Sequence, residues 1–505
     1  MTLSPANGLA VDADLRRNRA RLEEAFENCH DISFDSWRYG PELKYEALSV
    51  YCLTLAPEDR NPYLMQSLRD LTGLESGAAP TADPAAVAAY FSREGAARQG
   101  FTMVRQLREA IELVLQGQVV LFFDRWDGAI AYRAPASEKR QVMEPVNEPV
   151  VHGPREGTVE DLNKNLSMLR QRIPSAALKI EFVTAGQVAK TRIAFCYLQE
   201  VIDPDVLAEF RKRIEGLEHY DVPETSYVED WIQDSAFSPF PQYAYTERTD
   251  VAAAALMDGK IAVLVDRTPT VLLAPSFFVD FITTGEDYYV RTVYASMIRL
   301  LRLLAFGMAL TLPSIYIALS TFHPELIPTV LLLAILDTRE GIPFPAFVEA
   351  LIMEISFELL REAGIRLPRP VGPAVSIVGA LVIGQAAIMA KIASPIMVIV
   401  VALTGIASFA IPHYDMAIAL RILRFPYMVA ATLLGGFGLM IAMLMTLLHL
   451  ICLQTLGQPY LTSLAPFKWR DMRDVFIRLP LKRLLVSPRN RRLLALGSAG
   501  KKGAR

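Results

Sequence analysis

Glu354, Glu358 and Glu362 stand four residues apart in the stretch EALIMEISFELLREAGIRLPRP (349–370), inside the most hydrophobic part of the chain. On a helix this spacing gathers the three carboxylates into a stripe about 80° wide. Ile352, Met353, Leu359, Leu360 and Ala363 take the other side. Such a row of carboxylates has two uses. It can be the solvated face of a helix lying at a membrane surface. Repeated around an axis by several copies, it can be a vestibule that concentrates cations. Gly364 is well placed as a C-terminal stop, and Pro368 and Pro370 prevent continuation. Residues 345–363 therefore read as an amphipathic helix and not as a span; spacing alone leaves both uses open.

The next segment, 373–390, is rich in small residues. Gly372, Gly379 and Gly384, with Ser376, Ala380 and Ala387, allow helices to approach closely in a membrane. Val378 and Val382 would form a hydrophobic constriction if this helix faced an oligomer axis. The run GGFG (435–438) has no strand before it and no Lys-Ser/Thr after it. Close helix packing explains it better than a phosphate loop. The six histidines (30, 152, 219, 323, 413 and 449) show no metal-ligand spacing. GxSxG, HExxH and P-loop patterns are absent. Asp124-Arg125 and Asp266-Arg267 fit turns better than catalysis. The residues indicate neither an enzyme nor a cofactor.

The elements that must position these residues fall into two unlike halves. The chain is 52% hydrophobic overall, with a mean hydropathy of +0.27. Residues 1 to 290 are charged and mixed, whereas 303–467 contain long charge-free blocks. Spans are expected at 303–322, 373–390, 392–412 and 426–453. The apolar run 326–336 is too short for a straight crossing and reads as re-entrant or interfacial. Four crossings keep both ends of the chain on one side but leave Arg421 and Arg424 outside, against the positive-inside tendency. A fifth crossing at 326–336 would repair that loop and strand the tail; four is the expectation. From Lys468 to Arg505 there are twelve Lys/Arg and two Asp, which marks 468–505 as a basic cytoplasmic tail. The net charge of −3 gives no field for nucleic acid.

The N-terminus has no apolar signal core. Cys29, Cys52, Cys196 and Cys452 form no CxxC pattern, which fits a reducing compartment. In the charged half, 12–28 reads as a helix and 47–55 as a strand. Residues 73–90 are Ala/Pro/Gly-rich and suggest a flexible insert. QVVLFFD (118–124) and AIAYRAP (129–135) flank Asp127-Gly128, a hairpin signal. Residues 1–145 thus form a first soluble α/β subdomain. Thr158 and Asp161 stand at the start of a helical pattern over 158–173. Strand-like LKIEFVTAG and TRIAFCYLQEV, helical PDVLAEFRKRIEGL, and two β runs in 260–275 imply a second subdomain over 146–290. The fold class is an α+β membrane protein: two N-terminal soluble α/β subdomains, then an α-helical transmembrane domain (291–467).

The most distinctive soluble stretch is VHGPREGTVEDLNKNLSMLRQRI (151–173). Arg155 and Glu156 lie there in a rigid Gly-Pro loop, where they face a partner or pair with each other. This stretch resembles the RGPREGF-E-L--N---LR-RI block of the A subunits of GerA-type spore germinant receptors. FPQYAYTERTD (240–250), GKIAVLVDRTP (259–269), EDYYVRTVYASMIRLLR (286–302), REGIPFP (339–345), REAGIRLPRPVGPAVSIVGALVIGQAA (361–387) and GQPYL (457–461) follow in the family's order. The resemblance covers about residues 110–467. His152, Thr158 and Thr249 stand where the family usually has Arg, Phe and Pro. His152 weakens any requirement for a fixed positive charge at that position.

The resemblance implies a multi-pass protein of the bacterial endospore inner membrane, with its N-terminal region and tail on the core side. It implies B- and C-type partner subunits, a response to nutrients, membrane lipids as surroundings, and an oligomeric A subunit that conducts monovalent cations. A related SpoVAF type shares the fold and acts alongside the receptors. A non-conducting docking scaffold of the same complex is the rival reading. Glu354, Glu358 and Glu362 would then lie beside the ion pathway only under the first reading.

Overall fold

The computed structural model describes residues 9–39, 44–56, 101–133, 144–145, 148, 150, 152–367, 372–462, 464–465 and 474–480. The insert expected at 73–90 and the tail beyond 480 lie outside these residues. The chain divides into two compact units. One is built from residues up to Ile232 together with Tyr245–Pro275; the other is built from Gln233–Ala244 and the chain from Ser276 onward.

The first unit contains two five-stranded sheets, built on antiparallel hairpins. Helix α1 (Leu15–Ala25) leads into hairpin β1 (Ile32–Tyr39) and β2 (Tyr45–Cys52). Strand β3 (Phe101–Val104), helix α2 (Leu107–Leu115) and hairpin β4 (Gln118–Phe123) to β5 (Ala129–Arg133) complete the first subdomain. The second runs α3 (Leu162–Arg172), β6 (Leu178–Ala185), β7 (Thr191–Leu198), α4 (Pro204–Ile214), α5 (Thr225–Ile232), β8 (Ala244–Thr246), α6 (Thr249–Met257), β9 (Ile261–Val265) and β10 (Val271–Ala274). The sheet orders are β1-β2-β4-β5-β3 and β6-β7-β9-β10-β8. These are the same topology twice.

The duplication extends to single side chains. Asp14 caps α1 and Asp161 caps α3, each satisfying N–H groups at a helix start. Four residues on, Asn18 clamps the backbone of Asp12 through both amide atoms, at 2.9 and 2.6 Å. Asn165 does the same to Val159 at 2.8 and 2.6 Å. Asp124-Arg125 and Asp266-Arg267 are equivalent turns, with Arg125 and Arg267 at φ 63° and 68°. Arg125 N–H donates to Ala13 and Arg267 N–H to Glu160, so each turn is pinned just before its helix cap.

The two subdomains are locked together. The segment ahead of β1 lies along edge strand β6, with a parallel bridge between Cys29 and Ile180. Beneath it, Arg170 of α3 donates through Nε and Nη2 to Asp31 at 2.9 and 2.7 Å. Both side chains have zero exposure. Arg170 Nη1 takes the carbonyls of Ser175 and Leu178 at 3.0 and 2.9 Å, so the buried cation lacks no acceptor.

The second unit is helical: α7 (Thr292–Thr321), α8 (Thr329–Arg339), α9 (Ala346–Arg366), α10 (Gly372–Met389), α11 (Pro395–Phe409) and α12 (Tyr414–Cys452). By length and composition, α7 and α12 can cross a membrane. Helix α12 is longer than the span expected at 426–453, because it begins at Tyr414 and carries Arg421 and Arg424 inside it. Helix α9 runs past Gly364, which is tolerated there, to Arg366, and ends where Leu367 turns extended at ψ 150°. The segment 233–244 belongs with these helices. Ser238 Oγ lies 2.8 Å from His449 Nε2, and Thr455 Oγ1 donates to Gln242 at 3.1 Å.

Helix α12 is interrupted at Gly435, whose φ of 60° and ψ of −139° are non-helical and essentially restricted to glycine. The chain reverses there. Tyr427 Oη donates to Thr446 Oγ1 at 2.9 Å, and Gly438 lies against the Ala430 carbonyl. These contacts are impossible along one straight helix, where residues nineteen apart lie about 28 Å apart. The first limb runs alongside α7, since Arg424 meets Ala309 and Gly435 meets Phe322. Helix α9 runs against that limb, since Glu354 meets Arg424 and Glu358 meets Arg421.

Candidate functional site

The glutamate stripe of α9 does not face solvent as one surface. Glu354 is buried, with its side chain 5% exposed, whereas those of Glu358 and Glu362 are 43% and 56% exposed. The exposed side of α9 is apolar at Ile355 and Leu359, 45% and 67% exposed, and becomes mixed in the last turns, where Ile365 is exposed beside Glu362 and Arg366.

Each carboxylate meets arginine. Glu354 accepts from Arg424 Nη1 at 2.5 Å. Glu358 accepts from Arg421 Nη1 at 2.7 Å and Arg361 Nη1 at 2.9 Å. Glu362 pairs within its own helix with Arg366 at 2.6 Å. The arginines are held in turn. Arg421 lies over the Tyr414 ring at 5.4 Å and Arg361 over Phe409 at 5.0 Å, cation–π distances. Arg424 Nε donates to the Ala309 carbonyl of α7 at 2.9 Å. Arg421 and Arg424 thus lie buried within α12 and not in a loop ahead of it, and they neutralise the stripe. Nearer the start of α9, Glu349 pairs with Arg339 at 3.0 Å and accepts from the Ser394 N–H at 2.9 Å. Two atoms of the deepest pair, Glu354 Oε1 and Arg424 Nη2, are buried without a hydrogen bond.

The remaining expected residues separate. Gly379 packs against Leu360 of α9, and a Cβ at Gly384 would lie 3.5 Å from Val398 of α11. Gly372 is the first residue of α10. Val378 and Val382 are 59% and 56% exposed on α10. Arg155 and Glu156 do not pair with each other: Arg155 reaches Glu144 at 3.2 Å and Glu156 accepts from Arg172 at 2.8 Å.

A second charged cluster sits at the start of α7. Asp287 accepts from Arg299 Nε at 3.0 Å and from Arg302 at 2.9 Å. Arg299 and Tyr288 both reach Asp474, the latter at 2.8 Å. Arg478 lies over the Tyr288 ring at 4.9 Å. Crowding by this cluster and then the Asp474 charge raise the Tyr288 phenol above its usual range, although the residue stays 45% exposed. Sequence reading missed this cluster. Its signal was present in EDYYVRTVYASMIRLLR, where Asp287, Arg299 and Arg302 stand close together just ahead of an apolar run.

The family model described as Bacillus/Clostridium GerA spore germination protein matches residues 20–490. The chain belongs to the GerA family. Spore germination protein KA of Bacillus subtilis (strain 168) is 47% identical over 369 residues, 73% of this chain and 68% of that protein. Spore germination protein B1 of the same organism is 35% identical over 474 residues, covering 94% and 96%. The uncharacterized membrane protein YfkQ, also of Bacillus subtilis (strain 168), is 38% identical over 476 residues, covering 93% and 90%. The crystal structure of the N-terminal domain of the A subunit of the Bacillus megaterium germinant receptor GerK3 matches with a TM-score of 0.41 and 24% identity. That match covers 54% of this chain and 98% of the GerK3 chain. Within the GerA family the chain is a germinant-receptor A subunit, a non-enzymatic membrane protein of the kind that works in a complex with B and C subunits.

Proposed function

We propose that this A subunit forms a homo-oligomer in the spore inner membrane, with its soluble unit and basic tail on the core side, and releases monovalent cations when a nutrient engages its B- and C-type partners. The supporting observation is the row Glu354, Glu358 and Glu362 opposed by Arg424, Arg421, Arg361 and Arg366. Intramembrane charge is costly and marks function by default. In the paired arrangement the arginines cancel the carboxylates, so nothing concentrates cations and the state is closed. Separating α9 from the first limb of α12 uncovers the carboxylates and raises the local cation concentration. Val378 and Val382 then act as a hydrophobic constriction where copies of α10 meet. A partner with a few kcal/mol of differential affinity biases this two-state element.

The test is potassium flux from proteoliposomes containing the purified complex. The triple variant Glu354→Gln, Glu358→Gln, Glu362→Gln should lose cation preference and change conductance; unchanged flux would sink the role of the glutamates. The saturation of the carboxylates by arginine also suits a non-conducting scaffold, which predicts no flux from any variant.

A further inference from the structure

We infer that Pro313 is a positioning residue: by deleting one backbone N–H from α7 it frees the Ala309 carbonyl to fix Arg424, and through Arg424 the Glu354 carboxylate. In an uninterrupted helix the N–H of residue 313 would bond the carbonyl of residue 309. Proline has no such donor, and its ring crowds that same carbonyl. Pro313 lies buried inside α7. The vacancy is filled from another helix, by Arg424 Nε at 2.9 Å. The same guanidinium holds Glu354 through Nη1, so one side chain ties α7, α9 and α12 together at a single level. In a low-dielectric interior a charge-assisted bond to a bare carbonyl is among the stronger hydrogen bonds available.

Helix α7 is also gripped at its other end, where Arg299 bonds Asp287 and Asp474. Arg299 and Ala309 lie about 15 Å apart along the helix. Helix α7 is then a lever: a displacement of the loop that carries Asp287 is delivered to Arg424 and pulls on the pair that keeps α9 closed. This inference rests on the reading of the glutamate row as the element that opens.

A mutant cycle on the full-length protein in detergent, followed by its helical circular dichroism signal, tests the positioning role. Pro313→Ala restores the competing N–H. It should lower the thermal midpoint by about 3–10 °C, the shift expected for loss of one charge-assisted bond. In a background of Glu354→Met with Arg424→Met, which leaves no buried charge beside Ala309, Pro313→Ala should leave the midpoint unchanged or raise it, because alanine is the better helix former. Arg424→Lys is the second background. Its single ammonium keeps the charge opposite Glu354 without the second donor arm, and Pro313→Ala should again have no cost. An equal fall in all backgrounds, or a rise in the native one, overturns the inference. Potassium efflux from proteoliposomes is read in parallel: Pro313→Ala should raise basal efflux several-fold. Absence of efflux from every protein, with the cycle intact, refutes conduction and leaves the positioning role standing.

Discussion

Arg170→Met is the sharpest test of how the soluble unit is held together. The substitution removes a cation that has zero exposure and leaves the Asp31 carboxylate equally buried. Its nearest remaining side-chain donor is the Cys52 thiol at 3.4 Å. Breaking a buried pair from one side costs about 3–5 kcal/mol, because the surviving charge is uncompensated. The carbonyls of Ser175 and Leu178 lose their donor as well, which adds about 1 kcal/mol or more. A total of about 4–6 kcal/mol corresponds to a midpoint fall of about 8–20 °C for a unit of this size. The double variant Asp31→Leu with Arg170→Met removes both charges and should recover most of that loss, since replacing a buried pair by apolar groups is often neutral. Tryptophan fluorescence during heating of the full-length protein in detergent, in a Trp469→Phe background, reports on this unit, because the other three tryptophans, Trp37, Trp126 and Trp231, all lie in it. A double variant as unstable as the single one, or a single variant within about 1 °C of the native protein, would refute the reasoning.

Two further outcomes follow from burial and backbone geometry. Cys29, Cys52 and Cys196 are buried and Cys452 is exposed; burial, then the Asp31 charge, pushes the Cys52 thiol up to about 12. Brief N-ethylmaleimide treatment at about pH 8.5 should therefore give one adduct, at Cys452, and mass spectrometry showing a second on the folded protein contradicts this. A raised thiol pKa favours the protonated folded state, so the Cys52 contribution is complete below its unfolded value of 9.0 and is lost as the pH climbs toward 12. Gly435→Ala should destabilise the helical unit by about 1–3 kcal/mol, since only glycine adopts that backbone without strain and a Cβ would lie 2.8 Å from Phe322 Cγ. Calorimetry showing no change would mean the chain does not reverse there.

Local signals read well from the sequence. Asp127-Gly128 foretold the β4–β5 hairpin, and Asp161 caps α3 where the helical pattern began. The two Asp-Arg dipeptides are turns. Thr158, expected at the same helix start, instead donates to the Glu247 carbonyl at 3.0 Å. Strand β1 was missed because ISFDSWRY alternates weakly around its polar residues. The α9 stripe was visible as a pattern, but periodicity gives the width of a charged face and not the medium it meets. The decisive partners, Arg421 and Arg424, are 63 and 70 residues away from Glu358 and Glu354. Asp31 and Arg170 are separated by 139 residues and belong to no motif. Pro313 was legible as a residue, yet the acceptor it frees gains meaning only once another helix supplies the donor.

The reversal at Gly435 also decides where the two ends of α12 come to lie. An unbroken helix of 39 residues would be about 58 Å long, twice the thickness of a hydrocarbon core of about 30 Å. Folded back on itself, it becomes a pair of limbs each of about membrane length. Its first and last turns then emerge together: the His413 ring lies 5.5 Å from Phe281, and Tyr460 lies 6.3 Å from that same phenylalanine. Phe281 precedes α7, so the polypeptide departs by the face at which it arrived. One glycine thereby brings the chain at Tyr460 back to the end of the helical unit from which α7 sets out.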